Sequence, residues 1–142
     1  MKYLFTVLLS SLLFAACSSS VMTTMDPVRF DTCTDQTELT SSYTFTGETV
    51  DNLVVDQQQG IVFITMDIRT YCNSQLSMKM ETNENRITLK LANDYNSSDN
   101  CACIKKARTA LRDIEPGTYN LRITDITGYK LLDQKTFTIA GQ

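Results

Sequence analysis

Along most of the chain, apolar and polar residues alternate at every second position. From Ile61 to Cys72 (IVFITMDIRTYC) one face carries Val62, Ile64, Met66 and Ile68 and continues through Thr70 to Cys72. The opposite face opens apolar at Ile61 and Phe63, then turns polar at Thr65, Asp67 and Arg69. A period of two marks a half-buried strand, because successive side chains point to opposite faces. Leu76, Met78 and Met80 alternate with polar neighbours, as do Ile87, Leu89 and Leu91. Asn83-Glu84-Asn85 between them is turn chemistry, so the two runs predict a hairpin. Ala107, Thr109 and Leu111 share one face of the next run, with Lys106, Arg108, Ala110 and Arg112 on the other. Cys101 and Cys103 fall in its inward phase. Tyr119, Leu121 and Ile123 form a further inward set. Asp125-Ile126-Thr127-Gly128 suits a hairpin loop, and Phe137 with Ile139 closes the series. Tyr43 with Phe45, and Leu53 with Val55, predict two earlier strands. About seven short strands with no helical period predict an all-β fold, an antiparallel β-sandwich. A small barrel is the alternative.

The first residues break this pattern. Lys2 precedes an apolar run from Tyr3 to Ala16, interrupted only by Thr6, Ser10 and Ser11. A positive start, a short apolar stretch and a small-residue end make a secretory signal peptide. At about 14 residues the run is short for a helix crossing a ~30 Å hydrocarbon core. Its end, Leu13-Phe14-Ala15-Ala16-Cys17, resembles the lipobox of bacterial lipoproteins, with Phe14 in place of the usual leucine. That resemblance implies cleavage before Cys17, which receives acyl chains such as palmitate and anchors the chain to a membrane. Ser18 behind it is compatible with sorting to an outer membrane. Ser18 and the next residues, to about position 37, are polar and aperiodic and predict a tether. The expected organisation is a signal peptide over 1–16, a lipid-anchored tether over 17–37 and a β-sandwich over 38–142.

Composition narrows the chemistry. There is no histidine, so no Ser-His-Asp or Cys-His nucleophile can form, nor any metal site with imidazole ligands. The chain holds five glycines and no glycine-rich phosphate loop. Its net charge of −3 opposes general nucleic-acid binding. No cofactor and no catalytic residue is indicated. The charge is uneven, acidic before residue 100 and basic after it. The outward stripe Lys106, Arg108, Arg112 is one candidate surface for an acidic polymer or lipid head groups. The plainer expectation is that the two halves interleave and compensate.

Ile114-Glu115-Pro116-Gly117-Thr118-Tyr119 carries an apolar residue, Pro-Gly and then a tyrosine opening a strand. Pro116 presets one φ, Gly117 supplies a positive one, and Tyr119 is placed to bond its hydroxyl to nearby backbone. This is similar to the tyrosine-corner turn of immunoglobulin-like, fibronectin-like and transthyretin-like modules, and implies a Greek-key sandwich. With Asp51-Asn52-Leu53, Cys72 and Cys101-x-Cys103, residues 51–139 resemble small lipoproteins of Bacteroidetes-type bacteria. That group implies an immunoglobulin-like fold, mostly without assigned function.

With Cys17 acylated, four cysteines remain: Cys33, Cys72, Cys101 and Cys103. An exported protein with an even number of cysteines predicts disulfides. Residues i and i+2 of a strand lie roughly 6.5–7 Å apart, too far for an undistorted bridge. Cys101 and Cys103 are therefore expected to bond elsewhere. Two pairings stay open, 72–101 with 33–103 and 72–103 with 33–101. A four-thiolate metal site lacks the usual paired spacing. The expected role is a non-catalytic binding or accessory module of the cell envelope, with another envelope protein or a glycan as partner. The alternative is a thiol-redox protein using Cys101 and Cys103.

Overall fold

The structure is a computed structural model that describes residues 22–39, 45–94 and 100–141. The signal segment 1–16, Cys17 and Tyr43 lie outside the described residues. Among the described residues ten strands run in chain order: β1 (Thr24–Met25), β2 (Arg29–Phe30), β3 (Thr34–Glu38), β4 (Thr49–Gln58), β5 (Ile61–Tyr71), β6 (Gln75–Asn83), β7 (Arg86–Asp94), β8 (Cys101–Arg112), β9 (Gly117–Asp125) and β10 (Leu131–Ile139). No helix occurs among the described residues. The long strands form two facing sheets. One runs β8-β5-β4, with β1, β2 and β3 in turn along the free edge of β8; the other runs β10-β9-β7-β6.

The alternating faces meet between the sheets. Val62, Ile64, Met66 and Ile68 of β5 are buried with Ala107 and Leu111 of β8. Ile87, Leu89 and Leu91 of β7 and Leu121 and Ile123 of β9 close on them from the other sheet. Each fully buried aliphatic side chain stabilises the sandwich by roughly 1.5–3 kcal/mol relative to exposure. Leu76, Met78 and Met80 are only half-buried, because β6 is an edge strand.

The predicted hairpin is present, with Asn83 opposite Arg86 and Glu84 at φ 51° in the two-residue turn. Gln59 and Gly60, at φ 51° and 78°, connect β4 to β5 with the two positive φ values that match strand twist. The Asp125–Gly128 loop joins β9 to β10.

Three expectations are corrected. The ladder is not wholly antiparallel: β7 and β9 run parallel, with Ile87 opposite Leu121 and Leu89 opposite Ile123. The reason is connectivity. After β7 the chain crosses to the other sheet as β8 and returns as β9. Two reversals restore the original direction, and β8 serves as the long crossover a parallel pair requires. Phe45, expected within a strand, lies outside one and packs edge-on against Tyr71 with ring centroids 4.5 Å apart. Strands within residues 24–37, expected as part of the tether, instead pair with β8, with Met25 opposite Leu111 and Phe30 opposite Ala107, and the pairing runs on to Glu38 opposite Cys101. Met25, Val28 and Phe30 also rest on the core. The polarity that suggested a tether belongs to an edge segment, which has one face in water.

Candidate functional site

Register places the cysteines. Thr70 pairs with Cys103 and Tyr71 with Ala102, so Cys72 arrives opposite Cys101 and donates its N–H to the Cys101 carbonyl at 2.9 Å. Cys72 and Cys101 are bridged, with Cα atoms 5.4 Å apart. On the other side of β8, Thr34 pairs with Ile104, which brings Cys33 to Cys103 with Cα atoms 5.6 Å apart. Of the two pairings left open, the structure selects 72–101 with 33–103. Strand β8 is thus tied to a neighbour on each side. Cys101 and Cys103 belong to different bridges and do not form one redox pair. Cys103 is fully buried, and the other three cysteines are half-buried. The sulfurs of Cys33, Cys72 and Cys103 all lie within 4.8 Å of one another.

Polar side chains brace this end of the sandwich. The Thr70 hydroxyl donates to Ser74 Oγ at 2.7 Å, and Asn93 Nδ2 donates to Thr70 Oγ1 at 3.1 Å and to the Glu48 carboxylate. Lys105 Nζ donates to the Ser74 carbonyl. These contacts hold the turn after Cys72 against β7 and β8.

The Pro116–Tyr119 turn is structural. Tyr119 Oη donates to the Glu115 carbonyl at 3.0 Å, and its ring stacks on Phe137 at 5.6 Å between centroids. Gly117 sits at φ 157°, where side-chain-bearing residues are rarely found. Burial, with the Glu115 charge second, pushes the Tyr119 phenol above its usual value.

The stripe Lys106, Arg108, Arg112 is largely occupied. Arg112 forks onto the Asp26 carboxylate at 2.9 and 2.8 Å, Arg108 meets Asp31 at 2.8 Å, and Lys106 lies 3.7 Å from Asp67. The Arg112 hydrogen bond holds Asp26 below its usual value, and Asp26 raises Arg112 in turn. The acidic N-terminal segment therefore compensates the basic β8, as the interleaving expectation has it.

A different surface is left uncompensated. Outward residues of β6, β7 and β9, with the β9–β10 loop, line an open groove of about 590 Å³. Its walls include Arg86, Thr88, Lys90, Arg122 and Tyr129. Lys90 is paired with Glu81 at 2.7 Å, and its stem passes Gly128, where a Cβ would stand 3.2 Å from Lys90 Cε. Among the described residues neither Arg86 nor Arg122 has an ion pair. Tyr129 is 93% exposed.

The loop carrying that ring is held from below. Asp125 accepts from Thr127 Oγ1 at 2.7 and 2.8 Å and from the Lys130 N–H at 3.3 Å. The Asp125 carbonyl accepts the Gly128 N–H at 3.0 Å. The Thr127 hydrogen bond, with nearby backbone N–H groups, holds the Asp125 carboxyl below its usual value.

Sequence pattern marked Arg86, Thr88, Lys90 and Arg122 as outward but did not bring them together. Their meeting depends on the parallel β7–β9 contact, which joins strands that are not consecutive. No family model, curated protein or solved structure matches this chain.

Proposed function

We propose that the protein is a lipid-anchored, non-catalytic binding module of a bacterial cell envelope, akin to the small Bacteroidetes-type lipoproteins and held by acyl chains on Cys17. Greek-key, immunoglobulin-like winding and an outer-membrane location are parts of the same proposal. The observation that carries it is the groove on the four-stranded sheet. Two arginines with no acidic partner among the described residues and an exposed tyrosine stand there, while Lys106, Arg108 and Arg112 are each matched to a carboxylate. Unpaired charge of one sign in a groove beside an exposed ring attracts ligands of the opposite sign. Pairing of residues 24–38 with β8 leaves seven Cα–Cα steps between Cys17 and Thr24. Their reach is about 25 Å at most, so the sandwich would stand close to its membrane. Labelling with an alkyne fatty acid in a bacterial host tests the anchor. Wild type is expected to be labelled and membrane-bound; Cys17→Ala is expected to be unlabelled and released. Equal membrane retention of both refutes it.

One observation favours a second reading, thiol–disulfide exchange: the sulfurs of Cys33, Cys72 and Cys103 lie within 4.8 Å of one another. An external thiolate attacking Cys101 Sγ would release the Cys72 thiolate. That thiolate would attack Cys103 Sγ and expel Cys33 as thiolate, so each step forms one S–S bond and breaks one. Alkylation after brief dithiothreitol treatment tests it. Label on Cys33 together with a new Cys72–Cys103 bridge supports exchange; label on Cys72 and Cys101 with Cys33–Cys103 intact excludes it.

A further inference from the structure

We propose that the groove on the outer face of β6, β7 and β9 binds an acidic saccharide. The carboxylate of a uronic acid would be received by Arg86 and Arg122, and a pyranose ring would lie on Tyr129. This deepens the binding-module reading and rests on it.

Charge is the first argument. The groove's lining holds three basic side chains and one acidic one, in a chain whose net charge is −3. Glu81 is committed to Lys90, so the positive charge left over belongs to Arg86 and Arg122. Register brings them to adjacent strands, with Arg86 opposite Asn120 and Arg122 opposite Thr88. A planar guanidinium donates two parallel N–H···O bonds to a carboxylate, which suits fixed anionic groups better than a point charge does.

The walls supply the second argument. Thr88, Thr127 and Asn83 place hydroxyl and amide groups among the arginines, as a polyhydroxylated ligand needs. Tyr129 is a large ring held on the Asp125 loop yet left in water. An exposed aromatic with a polar tip matches a sugar, which has an apolar C–H face and a polar rim. A groove of about 590 Å³ accommodates a short oligosaccharide.

Length favours a saccharide chain over a single headgroup, because the groove runs from the β6–β7 turn to the β9–β10 loop. Met22 and Thr23 lie beside Thr82, Glu84 and Tyr119, at the end of the sandwich carrying the β6–β7 turn. Gly128 meets Lys90, four residues along β7 from Arg86, or roughly 13 Å at strand rise. Arg86 thus stands at the end where Met22 and Thr23 lie and the Tyr129 loop at the other, a span that several linked sugar units fill and one headgroup does not.

The test is calorimetric titration of the full chain in detergent with tetragalacturonate, and with maltotetraose as the neutral control. The acidic oligomer is expected to bind and the neutral one not. The double variant Arg86→Ala/Arg122→Ala is expected to weaken binding at least tenfold, and Tyr129→Ala several-fold. Arg108→Ala, outside the groove, is expected to change nothing. Unaltered melting temperatures would show that all three variants fold. No binding of tetragalacturonate, equal binding of maltotetraose, or an equal loss with Arg108→Ala overturns the assignment. So does displacement of tetragalacturonate from the groove by phosphatidylglycerol vesicles but not by excess galacturonate. Anchoring is read separately. If Cys17→Ala is released from membranes while the titration fails, the saccharide falls and the anchored module stands. If Cys17→Ala stays bound while the titration succeeds, the reverse holds.

Discussion

Removing the Cys33–Cys103 bridge while leaving Cys72–Cys101 intact tests how the N-terminal segment is held. The two bridges are nested, with sequence separations of 70 and 29. With the inner bridge closed, the loop that the outer one seals is shorter than its separation of 70. It comprises the 39 positions from Cys33 to Cys72 and the step from Cys101 to Cys103. A loop of about 41 residues corresponds to about 4 kcal/mol in the chain-entropy treatment. Cys33→Ala/Cys103→Ala should therefore lower urea stability by about 4 kcal/mol, a midpoint shift of roughly 2–3 M at a slope near 1.5 kcal/mol/M. A second readout separates this from simple loss of packing at Cys103. Arg29 stands opposite Arg108, so like charges face each other across β2 and β8 and that part of the ladder holds weakly. Without the bridge, residues 24–38 should detach first, and trypsin should cut at Arg29 well before the remaining chain unfolds. A loss under about 1 kcal/mol with unchanged cleavage at Arg29 would refute the reasoning. The ion pairs and the apolar contacts of Met25 and Phe30 would then be what holds the edge.

Other consequences are sharper in sign than in size. Ile64 is fully buried, so Ile64→Ala should cost about 2–5 kcal/mol by chemical denaturation. Tyr119→Phe removes the hydroxyl bond to the Glu115 carbonyl and should cost about 1 kcal/mol. Because the Tyr119 phenol is raised in the folded state, its contribution is intact below the ordinary tyrosine value and is lost as pH rises through the folded one. Absorbance at 295 nm should show one phenol ionising late. Asp125 is lowered, so its contribution is present above the unfolded carboxylate value and is lost as pH falls through the folded one. The amide signals of Gly128 and Lys130 should move in that acidic window, and Asp125→Asn should abolish the movement.

Much of the sandwich was legible because alternation belongs to the chain itself. Ile64 and Leu89 turn inward whatever their strands pair with, and Pro116-Gly117 before Tyr119 specifies its turn locally. The same holds for the even set of cysteines in the domain and for the chemistry that a chain without histidine cannot perform.

Pairing is another matter, since it depends on contacts between residues far apart in sequence. A shift of two positions between β5 and β8 would set Cys72 opposite a different partner; alternation forbids a shift of one but does not fix a shift of two. Residues 24–37 look like a tether until β8 offers them a free edge, a bridge and a row of basic side chains. Arg86 and Arg122 are ordinary outward residues of separate strands until the crossover through β8 lays β7 beside β9 in the same direction. The inward faces and the turns follow from local chemistry; the bridge partners, the docked edge and the groove follow from which strands become neighbours.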